Sequence, residues 1–235
     1  MKNAISLLVV SVLLNLTATA QTSSPYRLST TREALLLGGG VSLNGLSYYL
    51  ESKLKPPDKS RLDPDGINGF DRFAIHCSNH TTAHISDVTL LTSMALPLIP
   101  AMTTGSAARN REALLLVVES YVITMGITKL TKVLARRARP YTYRLPQSDL
   151  TGDACQSFFS GHTSMAFAGA LATGLLTQDL HGEAGVNYAA WTAGLGFALS
   201  TGVLRITSGK HFPTDVLVGA LAGSLVSYLV IQAHK

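Results

Sequence analysis

Charge is scarce in this chain. Asp, Glu, Lys and Arg together make up 14% of its 235 residues, against about a quarter in an ordinary soluble domain. That shortage excludes a typical water-soluble composition. Cysteine is limited to Cys77 and Cys155; they could be oxidised in an exported chain, but no disulfide framework can be built from them. Internal repeats, low-complexity tracts and signs of a second domain are missing. Nucleic-acid-binding motifs are missing too, so the net charge of +5 needs another explanation, and the basic residues gather at helix ends beside apolar segments. What is plentiful is hydrocarbon: 46% of residues are hydrophobic and the mean hydropathy is +0.25. Long apolar runs of this kind read as a membrane protein, with the positive charge facing anionic groups at its surface.

The N-terminus reads as a secretory signal peptide over residues 1–20. Lys2 supplies the positive start, residues 4–14 the apolar core, and Ala18-Thr19-Ala20 a small-residue cleavage site. An uncleaved anchor is the alternative. Either form sends the chain to an export pathway, which suggests a bacterium.

The remaining residues, 21–235, read as one all-α domain, a membrane-embedded bundle of about five to six apolar helices. They are expected at residues 33–50, 87–103, 112–135, 160–180, 187–204 and 213–233. The first, with Gly38-Gly39-Gly40, is marginal in length for a bilayer span. Ser86 is the expected cap of the second. Residues 51–85 form a long polar connection in which residues 67–75 have the periodicity of a short interfacial amphipathic helix. Gly219 and Gly223, with Ala166, Ala170 and Gly174, allow close helix packing.

Three polar constellations interrupt the apolar pattern: Lys132-x6-Arg139-Pro140, Phe159-Ser160-Gly161-His162, and Arg205-x5-His211-x3-Asp215. Each sits where a helix meets a loop, and helix order puts all three on one face of the membrane. This residue set suits phosphoryl transfer. A phosphate monoester carries about two negative charges near neutral pH. Lys132, Arg139 and Arg205 can neutralise them, while Ser160 and the N–H of Gly161 offer donors at a helix N-terminus. Two histidines separate the remaining roles. His211 can attack, with Asp215 four residues on to hold its other ring nitrogen, and His162 can protonate the leaving oxygen. This chemistry needs no metal ion and no organic cofactor. Arg136 and Arg137 alone would read as membrane-flanking anchors.

Taken together, the three motifs resemble the signatures of the type-2 phosphatidic acid phosphatase and vanadium haloperoxidase superfamily. The resemblance covers roughly residues 112–233. It implies a metal-independent phosphatase that hydrolyses a lipid phosphate or diphosphate through a phosphohistidine on His211. It also implies Asp215 as the orienting carboxylate, His162 as general acid, and Lys132, Arg139, Ser160, Gly161 and Arg205 around the phosphate. Candidate substrates are phosphatidic acid, phosphatidylglycerol phosphate, undecaprenyl diphosphate and lipid A phosphates. Two positions depart from the pattern, Phe159 in place of a proline and Leu204 in place of a serine; both bear on substrate choice. A soluble or peripheral periplasmic acid phosphatase is one alternative, and a non-catalytic lipid-binding or transport bundle is another.

The resemblance also implies a bacterial inner membrane with the site on the periplasmic side. Lys53, Lys55, Lys59, Arg61 and Arg72 oppose that orientation under the positive-inside rule. So does a cleaved signal, if residues 33–50 cross completely. Parity puts Cys77 and Cys155 on one side, where a disulfide could form. Three further features remain. His76, His80 and His84 have a spacing that could bind zinc, but a solvated polar loop is the favoured reading. Asp63, Asp65 and Asn68 lack the glycine and glutamate positions of a calcium loop. Glu119 should face the bundle interior, to hold a partner or to touch substrate.

Overall fold

The computed structural model describes residues 24–235; the expected signal peptide, residues 1–20, lies outside the described residues. Seven α-helices account for most of the described residues: α1 Thr30–Glu51, α2 His80–Ala95, α3 Leu98–Met102, α4 Ala107–Ala135, α5 Gly161–Leu180, α6 Ala184–Thr207 and α7 Pro213–Ala233. No β-strand occurs among the described residues. The expected all-α bundle is therefore present.

Local chemistry explains where the helices begin and end. Asn79 caps α2, its side chain accepting the Thr82 N–H at 3.2 Å, so this helix starts before the expected Ser86 cap. His80 and His84 consequently lie on a helix rather than in a polar loop, and both are exposed. Pro97, which has no N–H to donate, separates α2 from the short α3. Ser160 caps α5, and Pro213 occupies the first turn of α7. α4 ends at Arg136, whose backbone is left-handed with φ 47°.

α5 is the central helix, packing against α2, α4, α6 and α7. Its inward residues are mostly small: Ala166, Ala168, Ala170 and Ala172 are all buried. α7 crosses it closely because of two glycines. A Cβ at Gly219 would lie 2.7 Å from the Ser160 carbonyl oxygen, and one at Gly223 would collide with the Ser164 carbonyl. α1 lies along α4, where Asn44 Nδ2 donates to the Gly40 and Val122 carbonyls at 2.8 and 2.9 Å. At 22 residues it extends about 33 Å, longer than the marginal segment expected.

The outer surface carries the hydrocarbon. Leu217, Leu221, Leu225 and Tyr228 are exposed on α7, Val88 and Leu91 on α2, and Leu199 and Val203 on α6. Among the described residues, three stretches are long and apolar enough to cross a membrane: His80–Met102, Ala107–Tyr143 and Pro213–Ala233. Exposed leucine rows over a core of small residues are the arrangement of a protein dissolved in lipid.

The connection between α1 and α2 folds over one end of the bundle. Residues 67–75 do not form the expected amphipathic helix. Only a 3-10 turn, Arg72–His76, is present, and Ile67, Ala74 and Ile75 pack on Phe212. Asp71 anchors this segment by accepting from the Thr214 N–H at 2.9 Å and the Thr214 hydroxyl at 2.6 Å. Burial would raise the Asp71 pKa, but hydrogen bonds from Thr214, Arg137 and Asn68 outweigh it and hold the carboxyl below its ordinary value. Cys77 and Cys155 are both free thiols, so the disulfide considered from parity is not formed.

If glycine allows α7 to approach α5, Gly223→Val should lower the melting temperature in detergent, with an overpacking cost of about 1–3 kcal/mol. Gly45→Ala, at a position where a Cβ meets nothing within 4 Å, should leave it unchanged or raise it. Equal melting temperatures for wild type and Gly223→Val would contradict the packing account.

Candidate active site

One end of the bundle gathers the polar residues. The last turn of α4 brings Lys132, the loop after it Arg139, the start of α5 Gly161 and His162, and the end of α6 Arg205. His211 stands just before α7. These six line one cavity of about 460 Å³. The three cations are nearly enclosed: Lys132, Arg139 and Arg205 are 8%, 7% and 6% exposed. Like charges this close and this dry repel one another, so the cavity is prepared for an anion.

Each cation is tethered at its base or edge. Lys132 Nζ donates to the Gln156 carbonyl at 2.6 Å. Arg139 is held by Asp153, through Nε to the carbonyl at 3.0 Å and through a terminal nitrogen to the carboxylate at 2.7 Å. Arg205 donates to Ser86 Oγ at 3.2 Å, and its Nε is buried without a hydrogen-bond partner. These contacts fix the direction of the guanidinium groups before any ligand arrives.

His211 is oriented differently from the expectation. Its Nδ1 lies 2.8 Å from the Ser157 carbonyl oxygen, whereas Asp215 Oδ2 is 3.7 Å away, beyond hydrogen-bond reach. A carbonyl only accepts, so Nδ1 carries the proton and Nε2 presents a lone pair. Arg139 lies 3.4 Å from that Nε2, at the cavity side. Asp215 acts one step further back. Its Oδ2 accepts from Ser157 Oγ at 2.5 Å and from the Phe212 N–H at 2.9 Å, and its Oδ1 from Arg137 at 2.5 Å. The carboxylate thereby positions Ser157, whose carbonyl positions the ring.

His162 also has a partner. Its Nε2 lies 2.8 Å from Asp87 Oδ1, and a carboxylate acceptor places the proton on that nitrogen. The same Asp87 oxygen is 3.7 Å from Arg205. Ser160 is buried, with its hydroxyl accepting from Thr163 Oγ1 at 2.9 Å. It serves as the α5 cap, leaving the free N–H groups of the first turn to face the cavity. Phe159 is buried edge-on against Phe158 and does not line the cavity. Glu119 lies elsewhere, inside the bundle beside Glu33 and His234, so it does not touch a ligand in this cavity.

Sequence reasoning missed Asp87, Asp153, Ser157, Asp71 and the role of Arg137. Arg137 bridges Asp71 at 2.7 Å and Asp215 at 2.5 Å and stacks over the Phe212 ring at 4.2 Å, so it is not a membrane anchor. Asp71 and Asp87 could have been flagged as lone acids flanking apolar segments. Ser157 acts through its backbone carbonyl and leaves no signal in residue type.

A membrane bundle whose helix ends converge three cations and two histidines on one cavity defines a class, helical membrane proteins with a buried anion-ready site. Within it, the PAP2 superfamily signature matches residues 113–235, and the chain belongs to that superfamily. An undecaprenyl-diphosphatase from Sulfolobus acidocaldarius is 30% identical over 128 residues, which is 54% of this chain and 58% of that protein. The match thus spans a little over half of that relative. The crystal structure of a transmembrane PAP2-type phosphatidylglycerolphosphate phosphatase from Bacillus subtilis superposes with a TM-score of 0.53 at 20% identity, covering 83% of this chain and 94% of that one. The crystal structure of Aquifex aeolicus LpxE aligns over 90% of this chain and 99% of that one, with a TM-score of 0.33 at 19% identity.

Burial pushes the His211 pKa well below its ordinary value, and Lys132, Arg139, Arg205 and His162 push it the same way by charge repulsion. A depressed pKa keeps the ring neutral as pH falls. The acid limb of kcat/KM that belongs to this ring should therefore lie below about pH 6.5, and Lys132→Met should move it upward. An acid limb above neutrality in the wild type would contradict the geometry. Asp87→Asn, which removes the charge behind His162, should lower kcat about tenfold or more for alkyl phosphates and much less for nitrophenyl phosphate. Equal losses on both substrates would assign Asp87 a structural role only.

Proposed function

We propose that the chain is a metal-independent phosphatase that hydrolyses a lipid phosphate or diphosphate through a phosphohistidine on His211. The carrying observation is the two-sided cavity. The cations and histidines form its polar end, and Leu90, Met94, Met125 and Met165 form an apolar wall beside them. Met125 is partly exposed on the lipid-facing surface. A phosphate headgroup fits the first part and its hydrocarbon chain the second. A water-soluble ester would leave the apolar wall unused, which favours a lipid over the soluble acid-phosphatase reading. The three cations also disfavour a metal ion in the same space.

In the proposed reaction Lys132, Arg139, Arg205 and the N–H groups at Gly161 and His162 hold the phosphate oxygens. Ser160 contributes by capping that helix start. The Nε2 lone pair of His211 attacks phosphorus, an N–P bond forms, and the P–O bond to the lipid breaks. His162 enters this step as the imidazolium, its Nε2–H held by Asp87, and the proton on its other ring nitrogen passes to the departing oxygen, leaving a neutral ring. Water then attacks the phosphohistidine and gives its proton to His162, and inorganic phosphate leaves with both rings restored. The partial positive charge on His211 during attack is stabilised through the Ser157 carbonyl, with Asp215 behind it.

We place the protein in a bacterial inner membrane with the site on the periplasmic face. α1 runs from the Glu33 end of the bundle to the site end, where Gln156 donates to Glu51 at 3.1 Å. If α1 crosses the membrane completely, a periplasmic site puts residues 24–29 on the cytoplasmic side, whereas a cleaved signal would put the site in the cytoplasm. Cys77, on the site side, should react with a membrane-impermeant maleimide in intact spheroplasts; protection until lysis would reverse the orientation.

His211→Ala should abolish phosphate release from lipid phosphates while leaving the melting temperature close to wild type. His162→Ala should lose about 10²–10⁴-fold on alkyl phosphates and far less on nitrophenyl phosphate, which needs no proton to depart. Assays across lipid monophosphates, lipid diphosphates and soluble esters check the proposal. Wild-type activity in His211→Ala, or a preference for soluble esters, would overturn it.

A further inference from the structure

A second polar cluster is buried at the opposite end of the bundle. Glu33 lies in the first turn of α1, Glu119 within α4, and His234 just past the end of α7; all three are 0% exposed. Asp215 and His234 are about 28 Å apart along α7, so this cluster is separate from the phosphate cavity. One ligand atom from each of the three residues lies within 4.8 Å of the others.

The hydrogen-bond pattern leaves these atoms facing one another with nothing between them. His234 Nδ1 donates to the Val230 carbonyl at 2.7 Å, which makes Nε2 the bare nitrogen. Nε2 lies 3.2 Å from Glu119 Oε2 and 3.4 Å from Glu33 Oε1. Neither Glu119 oxygen and not Nε2 itself makes a hydrogen bond. Arg32 pairs with Glu33, but the Glu119 oxygens and His234 Nε2 converge without a hydrogen bond, and such lone pairs in a dry interior are costly unless a cation joins them. The spacing suits such a cation: two ligands bonded at about 2.1 Å in tetrahedral geometry lie about 3.4 Å apart.

The surroundings fit the same reading. Glu33 is fixed by the Ser29 N–H at 2.8 Å and by Arg32 at 3.0 and 3.2 Å. The Val230 carbonyl fixes the imidazole tautomer. Outer contacts of this kind orient ligands on a metal. One imidazole and two carboxylates form a mixed nitrogen and oxygen set, which suits zinc and resembles neither the all-oxygen cage of calcium nor the thiolates of soft-metal sites. The second Glu119 oxygen or a water can complete four-fold coordination.

We propose that Glu33, Glu119 and His234 form a structural zinc site that clasps α1, α4 and α7 at the end of the bundle away from the phosphate cavity. The site takes no part in phosphoryl transfer. It ties the segment before α1 and the chain's last residues to the middle of α4.

The test uses the full chain purified in detergent without a metal-affinity step, followed by metal analysis, cobalt substitution and thermal melting. Wild type should retain one zinc per chain. Glu119→Gln and His234→Ala should bind it at least about tenfold more weakly, and His211→Ala should retain it. Wild-type protein stripped of metal should show the visible absorption of tetrahedral cobalt when Co²⁺ is added, and its melting temperature should rise with Zn²⁺. If wild type neither retains zinc, binds cobalt nor melts higher with Zn²⁺, a proton on His234 Nε2 joins the carboxylates instead and the proposal fails. Loss of zinc in His211→Ala would likewise overturn the assignment.

Discussion

Everything at the phosphate end depends on the buried carboxylate of Asp215. It takes the Phe212 N–H, the Ser157 hydroxyl and the Arg137 guanidinium, and its own backbone carbonyl takes the Ser160 N–H at 3.0 Å. One residue therefore joins the start of α7, the loop before α5, the α5 cap and the segment after α4. Arg137 extends the connection to Asp71, and so to the long polar segment folded over the bundle end. Burying this carboxylate would be prohibitive without such partners. With them, it fixes the Ser157 carbonyl that in turn decides which nitrogen of His211 is bare.

The cavity reverses that balance. Lys132, Arg139 and Arg205 are enclosed with only partial compensation from Asp153 and Asp87. The fold maintains the mutual repulsion because the cations are rooted on separate elements whose hydrocarbon packing is independent of them. Small residues on α5 and glycines on α7 bring those elements close enough to share one anion. The unpaired charge is thus a stored preference for an anion, supported by helix packing in lipid, where polar backbone groups are already satisfied within helices.

Much of this was legible in the sequence, for identifiable reasons. The helices announced themselves because apolar runs must be helical in a membrane. The cavity residues were legible because charge is rare and costly there, so Lys132, Arg139, Arg205 and the two histidines stood out, and the structure brings them to one cavity. Helix starts were less legible. The stretch around His80 was expected as a polar loop, yet Asn79 caps α2 there, and α4 begins at Ala107 rather than at residue 112. Roles carried by backbone atoms left no trace: nothing in a serine predicts that its carbonyl, rather than Asp215, meets His211. Asp87 was read as the beginning of a helix, because its partnership with His162 joins residues 75 positions apart. Tertiary contacts of that range are invisible to local spacing.

The central claim is that His211 Nε2 becomes covalently bonded to phosphorus. Rapid quenching of the enzyme with a lipid substrate labelled at the transferred phosphate tests it directly. The account predicts an acid-labile, alkali-stable phosphoenzyme whose label maps to the peptide containing His211. The label should be missing from His211→Ala and should accumulate with His162→Ala when a nitrophenyl phosphate is used. A label on any other residue, or turnover with no trapped phosphoenzyme and direct attack by water, would contradict it.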